Sequence, residues 1–264
     1  MKNPLRKRVL RELRDEIGKY LVVFILMVST IGFVSGFLVA DGSMMTAYNE
    51  SFEKYNIEDG NFRTDDEIHR SQREKIEAEG VTFYENFYIE SEMDNGSTVR
   101  IFKNREDVDL VCLMKGELPQ AKDEIAIDRM YADNNALTVG DTLTQGSHEW
   151  KITGLVALSD YSALFQNNND SMFDSIKFGV AVVTPDGFAQ LNQELLQYDY
   201  AWVYDEKPVT EKEEKDRSED LMKAVGKIVT LEDFTPQYLN QAIRFTGDDM
   251  GSDRAMVTVL LYIV

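Results

Sequence analysis

The chain has 264 residues, with 28 Lys and Arg against 47 Asp and Glu, a net charge of −19, one cysteine and two histidines. Such an acidic balance argues against nucleic acid as a partner, because phosphate binding needs clustered Lys and Arg, and a lone Cys112 excludes an internal disulfide. His69 and His148 stand far apart with no Cys, His or carboxylate at ligand spacing, so a zinc site has no support.

The charge is unevenly spread. Residues 1–19 carry Lys2, Arg6, Lys7, Arg8, Arg11, Arg14 and Lys19 against Glu12, Asp15 and Glu16. Leu5, Val9, Leu13 and Ile17 recur every four residues, which predicts a basic amphipathic cytoplasmic helix. It lies on the inner leaflet, or simply extends the span that follows. Residues 20–40, YLVVFILMVSTIGFVSGFLVA, hold no charge and match the roughly 20 residues that cross a bilayer core of about 30 Å. The basic flank sets the N-terminus inside. A cleaved signal peptide is the alternative. Against it, the apolar stretch exceeds the usual core of about 7–15 residues, and Leu38-Val39-Ala40 is a poor cleavage site.

Beyond the span, 21 Lys and Arg face 44 Asp and Glu, and roughly 210 residues precede the next apolar run, enough for one large or two small folding units. The proline-free stretch after Ala40 is expected to continue the helix outward. A short strand GNFRT follows, then a helix capped by Asp65 or Asp66 and closed near Gly80. VTFYENFYIESE alternates as one strand, Asp94-Asn95-Gly96 marks a tight turn, and STVRIF returns as its partner. DEIAID, VGDTL, HEWKITGLVAL, FGVAVV and YDYAWVYD read as strands, with a short helix over RMYADNNAL. Thr184 and Pro185 open a helix with Phe188, Leu191 and Leu195 on one face. The charge run Glu211–Asp220 starts a helix ending near Val225. KIVTLED is the last strand, and Thr235 with Pro236 repeats the cap-and-proline start of a final helix. The apolar run Met256–Val264 rises only about 13 Å as a helix, under half a membrane, and is expected to be a second span cut short; a short buried strand is the alternative.

No residue is assigned a catalytic, cofactor-binding or metal-ligating role, and no cofactor is expected. The chain lacks G-x-S-x-G, H-E-x-x-H, a dinucleotide-binding glycine loop and the phosphate loop of an ATPase. Asn167–Asp170 offers oxygens without the ordered spacing of a calcium loop and reads as a polar loop tip. The sequons at Asn49, Asn95 and Asn169 matter only where a host glycosylates outside the cell.

One stretch is more specific. GELPQAKDEIAIDRMYADNNALTVGDTL followed by HEWKITGLV resembles the outer domain of FtsX/MacB-like ABC transporter permeases. The resemblance rests on Gly116, Pro119, Glu124, Ile125, Ala126, Ile127, Ala132, Leu137, Val139, Gly140, Asp141 and Gly154. It implies an α+β fold: a membrane-anchored extracytoplasmic domain flanked by transmembrane helices. A porter-like α+β subdomain would be formed by 41–112 plus 207–254, a strand-rich inserted subdomain by 113–206, and a second span would start at 255–264. It also implies a separate cytoplasmic ABC ATPase subunit, a second permease copy or half, and mechanical rearrangement of the outer domain for export, extraction or regulation at the cell surface. A membrane-anchored sensor or ligand-binding module is the alternative; a permease continues into further spans, a receptor into a signalling domain.

The topology predicts that a cysteine placed at Asn95 is labelled from outside intact cells by a membrane-impermeant thiol reagent, and that one at Lys7 is not. Labelling at Lys7 would reverse the orientation.

Overall fold

The structure is a computed structural model that describes Arg14 and Glu16–Ile263, with side chains to Val259. Most of the expected helix over 1–19 therefore lies outside the described residues. The chain divides into two compact units, Met1–Tyr48 with Asp249–Val264, and Asn49–Asp248.

Helix α1, Ile17–Lys54, is 38 residues long and continues past the expected span as the sequence predicts. It holds the one stretch among the described residues that is long and apolar enough to cross a membrane. In the first unit, Asp41 is buried and its Oδ2 stands 4.0 Å from Arg254 Nε.

In the second unit the elements follow as β1 (Gly60–Thr64), α2 (Arg70–Glu77), β2 (Val81–Glu85), β3 (Tyr88–Glu92), β4 (Thr98–Lys103), β5 (Val111–Gly116) and β6 (Glu124–Asp128). Then come α3 (Arg129–Asn134), β7 (Thr142–Gln145), β8 (His148–Leu158), β9 (Phe178–Val183) and α4 (Pro185–Phe188). The chain ends with β10 (Tyr198–Tyr204), α5 (Glu211–Val225), β11 (Leu231–Pro236) and α6 (Gln241–Ile263). The class is α+β, as expected. The first sheet has four strands in the order β11-β1-β10-β2; the second has seven, β3-β4-β9-β6-β8-β5 with β7 also on β8.

The first sheet is antiparallel throughout. Its inner face is aromatic: Phe62, Phe83, Tyr200 and Trp202 are buried under Ile76 of α2 and Leu221 and Val225 of α5. Phe62 stacks on Tyr200 at 5.4 Å and Trp202 on Phe234 at 4.6 Å. Rings this close add to the burial of their area. The second sheet mixes directions, with β4 parallel to β9 and β6 parallel to β8. Every residue of β9 is buried, matching its unbroken apolar run. Gly179 of β9 leaves room for the Tyr131 ring of α3, which a Cβ would meet at 2.5 Å.

Several boundaries differ from expectation, each for a local reason. VTFYENFYIESE is two strands rather than one. Asn86 donates its amide to Asp199 O, and the chain then leaves the first sheet: Phe87 packs edge-on against Tyr198 and Tyr200, while Tyr88 pairs with Phe102 in the second. Strands β3 and β4, expected within 41–112 of the α+β subdomain, therefore belong to the seven-stranded sheet. Strand β10, expected within the 113–206 insertion, belongs to the four-stranded one. Helix α2 starts after His69, not Asp65 or Asp66. Thr64 Oγ1 donates to Asp66 O, Tyr200 takes the Ile68 amide, and Gln72 takes the His69 amide.

Thr184 does cap α4, accepting from Gly187 N at 3.1 Å. The helix nevertheless stops at Phe188, and Gln193 ties back to the Phe188 and Leu191 carbonyls. Phe188 and Leu191 are buried and Leu195 is 50% exposed. Thr235 and Pro236 finish β11 opposite Asn61 and Gly60 instead of opening α6.

Gly116 and Gly154 face each other across β5 and β8. Gly116 has φ 78, a left-handed conformation that favours glycine, and Glu117 then donates its amide to Thr153 O at 2.9 Å. A Cβ on Gly154 would stand 2.5 Å from the Glu117 carbonyl oxygen, a backbone atom with little freedom to yield. Gly154→Ala is expected to cost about 1–3 kcal/mol, seen as a lower denaturation midpoint at unchanged slope. An unshifted midpoint would show that the two strands part freely.

Candidate functional site

The residues singled out in the sequence are mostly engaged in holding the fold. Glu124 accepts the amides of Gln120 (2.9 Å) and Ala121 (3.0 Å), which hold its carboxyl below the ordinary range. Ile125, Ala126, Ile127 and Ala132 are fully buried, and Leu137 and Val139 pack against that core. Gly140 has φ 101, and Asp141 Oδ2 accepts the Thr138 amide at 2.8 Å and its hydroxyl at 3.0 Å, which closes a turn between α3 and β7. His69 precedes α2, and the His148 ring lies 4.2 Å from that of Trp150. Cys112 is half-buried, and its Sγ accepts from Tyr55 Oη at 3.0 Å.

The most organised polar region lies instead where the chain passes from α1 into the sheets and out again toward α6. After α1 the chain turns at Asn56, whose φ of 46 is one that Asn adopts more readily than most residues. Its side chain donates to Asp107 O (2.7 Å), its carbonyl accepts from Asp109 N (3.0 Å), and Leu110 N reaches Tyr55 O (2.9 Å). Residues 55–58 are thus pinned along 107–112. Asp109, fully buried, takes the Glu58 amide on Oδ1 at 2.9 Å. Glu58, 1% exposed, accepts from Asn61 Nδ2 at 2.6 Å and from Asn240 Nδ2 at 3.5 Å. Its carbonyl accepts from Gln237 Nε2, and Asp59 O accepts the Gln237 amide at 2.9 Å. The segment leaving α1 and the segment leading to α6 therefore meet at Glu58.

A second clamp holds the start of α6. Asn240 caps it, its Oδ1 accepting from Ala242 N (3.0 Å) and Ile243 N (3.3 Å). Asn168 accepts the Gln241 amide on Oδ1 (2.8 Å) and the Gln241 side chain on its carbonyl (2.6 Å). Ser162 Oγ donates to the carbonyls of Ala242 (2.8 Å) and Ile243 (2.9 Å), and Thr246 Oγ1 donates to Ser162 O (3.2 Å). Phe165, Phe173 and Phe245 close an aromatic triangle with centroids 5.3–5.6 Å apart. The polar tip expected at Asn167–Asp170 is a turn, with Asp170 accepting the Asn167 amide at 2.9 Å, and it presents Asn168 to the helix.

The electrostatics of the joint are unusual for so acidic a chain. Burial, then Asp109, Asp160 and Asp199, push the Glu58 carboxyl well above the usual range. Burial and Asp160 push Asp109 the same way, opposed by Arg105 and by the Glu58 amide. Arg105 is bound to Asp160 at 2.5 Å, both side chains no more than 7% exposed, and lies 4.2 Å over the Phe102 ring. Two buried carboxyls this close cannot both ionise cheaply. Folding therefore favours a protonated carboxyl at the joint. Nothing in the sequence distinguishes these two among 47 acids. Asn240, one residue before α6, was the available capping signal.

No family model matches the sequence, and no curated protein does. Among solved structures, the chain is similar to the periplasmic region of MacB from Actinobacillus actinomycetemcomitans, at 11% identity and a TM-score of 0.33, over 63% of this chain and 83% of that one. It is also similar to the extracellular domain of the noncanonic ABC-type transporter YknZ from Gram-positive bacteria, at 9% identity and a TM-score of 0.33, over 64% of this chain and 92% of that one.

Carboxyls whose pKa is raised by folding stabilise the fold at low pH and lose that contribution as pH climbs through the folded value. Unfolding stability is expected to decline from mildly acidic to mildly alkaline pH. Asp109→Asn, which keeps an acceptor for the Glu58 amide, should flatten that decline in equilibrium denaturation. An equal slope in wild type and variant would place the titrating group elsewhere.

Proposed function

We propose that this chain is part of a permease subunit of an ABC transporter of the FtsX/MacB type. In this reading α1 anchors the chain with its N-terminus in the cytoplasm, residues of about 41–254 lie outside the membrane, and α6 leads into a second span of a multi-pass protein. A separate cytoplasmic ABC ATPase powers movement of the spans. A second permease copy or half pairs with this one in the lipid membrane, and an extracytoplasmic substrate or partner protein is what the outer domain acts on. The chain itself is not an enzyme, and nucleic acid is not a partner.

The observation that carries this function is the joint. Two long helices, α1 and α6, are held by adjoining clamps that meet at the buried Glu58–Asn240 contact: α1 through Tyr55, Asn56 and Glu58, α6 through Asn240, Asn168 and Ser162. Packed helices tied to a shared rigid seat transmit hinge or shear motion. The motif residues Gly116, Glu124, Gly140, Asp141 and Gly154 support the same family reading by shaping the sheet that this seat belongs to. Displacement of the spans would reach the outer domain through these contacts, for export, extraction or regulation at the cell surface.

Stiff continuity of α6 is then the requirement. In the complete permease, a Gly-Gly-Ser insertion after Met250 is expected to abolish transport or substrate resistance while membrane insertion and ATPase binding persist. Alanine at Asp141, His69 or His148 should leave most of the activity. A silent insertion, together with loss of activity on one of those single changes, would move function from mechanics to local chemistry.

A further inference from the structure

The four-stranded sheet has a second face unlike its aromatic one. Directly paired residues on neighbouring strands share a face. Across it run Thr235 of β11, Asn61 of β1 and Ala201 of β10 in one row, and Asp233, Arg63 and Asp199 in the next. The Asn86 amide bonds to Asp199 O just past the end of β2, which sets the Asn86 side chain on this same face, beside Asp199. The face lines a cleft of about 350 Å³ together with Tyr88, Phe102 and the tip at Asn167–Asn169.

Two side chains of this cleft are buried and unspent. Asn86 is 5% exposed and Thr235 6%, yet neither the carboxamide nor the hydroxyl has a hydrogen-bond partner among the described residues. Buried polar groups are as a rule paired within the protein. These two reach solvent instead, and both line the cleft. Two further amides have one group each to spare. Asn61 spends Nδ2 on Glu58 and keeps Oδ1, while Asn168 spends Oδ1 on the Gln241 amide and keeps Nδ2. The charged groups, by contrast, are already matched. Arg63 is paired with Glu232 at 2.9 Å, and Arg100 with Glu90 and Tyr161 Oη, both at 2.6 Å. Asp199 is set against Arg63, Arg100 and Arg105, and Asp233 is exposed. The spare hydrogen-bonding capacity of the buried part of the cleft is therefore neutral.

Amides and a hydroxyl supply donors and acceptors side by side, which suits ligand hydroxyls, themselves donors and acceptors, better than an ion or an apolar molecule. Asn86 and Thr235 flank opposite edges of the sheet, three strand spacings or about 14 Å apart. One sugar ring cannot touch both, whereas a short chain of linked rings can. We propose that this cleft binds a neutral oligosaccharide, with Asn86 and Thr235 bonding hydroxyls toward its two ends and Asn61 and Asn168 as further partners. The site lies wholly within the unit Asn49–Asp248 and is independent of the permease reading, because it needs only that unit.

The test is calorimetric titration of the 264-residue chain, in a polyoxyethylene detergent whose headgroup is not a sugar, with cellotriose, maltotriose and triacetylchitotriose in turn. Saturable one-to-one binding of at least one of them is expected, little changed between low and high salt because the ligand carries no charge. Glucose and N-acetylglucosamine, too short to reach both ends, should bind far more weakly. Asn86→Ala and Thr235→Val should each weaken binding about tenfold, the scale of one hydrogen bond lost at a buried group. Thr235→Ser, which keeps the hydroxyl, should bind nearly as wild type, and Asp186→Asn on α4 should change nothing. If Asn86→Ala fails to melt as a folded protein, the contrast between Thr235→Val and Thr235→Ser decides. No saturable binding of any of the three, unchanged affinity in the folded variants, monosaccharides binding as tightly, or trialanine binding in place of the sugars would overturn the proposal; the last would make the cleft a peptide site.

Discussion

A carboxyl group out of reach of water must find its donors within the protein, and Glu58 finds them on both sides of the chain's passage through the sheet unit. Asn61 follows three residues later, while Asn240 belongs to the other end of the domain. Neither contact is worth much alone. Together with the Asp109 acceptor they fix where α1 releases the chain and where α6 takes it up. Buried polar groups of this kind contribute more to a unique arrangement than to stability, since an apolar substitute of similar shape would satisfy the core as well. Here the arrangement they select is a common seat for two long helices.

The acidic composition has two unlike parts. Most carboxylates form a solvated exterior, as on α5, where Glu211, Glu213 and Glu214 sit at the helix N-terminus and complement its dipole. A minority lie inside or line a cleft, among them Glu58, Asp109, Asp128, Asp160 and Asp199. Burial raises four of these (Glu58, Asp109, Asp128 and Asp199), and Asp160 is held by Arg105. Composition alone cannot separate the groups, because a solvated and a buried aspartate are the same letter.

What was legible followed from local physics. The uncharged run after the basic arm, the Asp94-Asn95-Gly96 turn, the Thr184 cap and the unbroken apolar strand Phe178–Val183 each announce themselves within a few residues. The misplaced features depended on distant partners. The break between β2 and β3 exists because Asp199 captures the Asn86 amide. The start of α2 is deferred to His69 because Tyr200 captures the amide of Ile68. The Thr235-Pro236 pair looks like a helix start, yet Thr235 pairs with Asn61 in a sheet. The joint was least legible of all, since its members come from residues 55–61, 107–112, 160–168 and 237–246 and only the fold assembles them.

The order of the strands also bears on how the chain can acquire its fold. The seven-stranded sheet lies wholly between Tyr88 and Val183, inserted between β2 and β10 of the other sheet. Phe62, near the start, packs on Tyr200 and Phe234, near the end. During synthesis the insertion can close on itself while β1 and β2 still lack partners, and bringing those ends together carries a smaller loop-closure cost once the intervening chain is compact. Until β10 and β11 emerge, the aromatic face of β1 and β2 remains uncovered. The interval between those two events is when this domain is most exposed to misassociation.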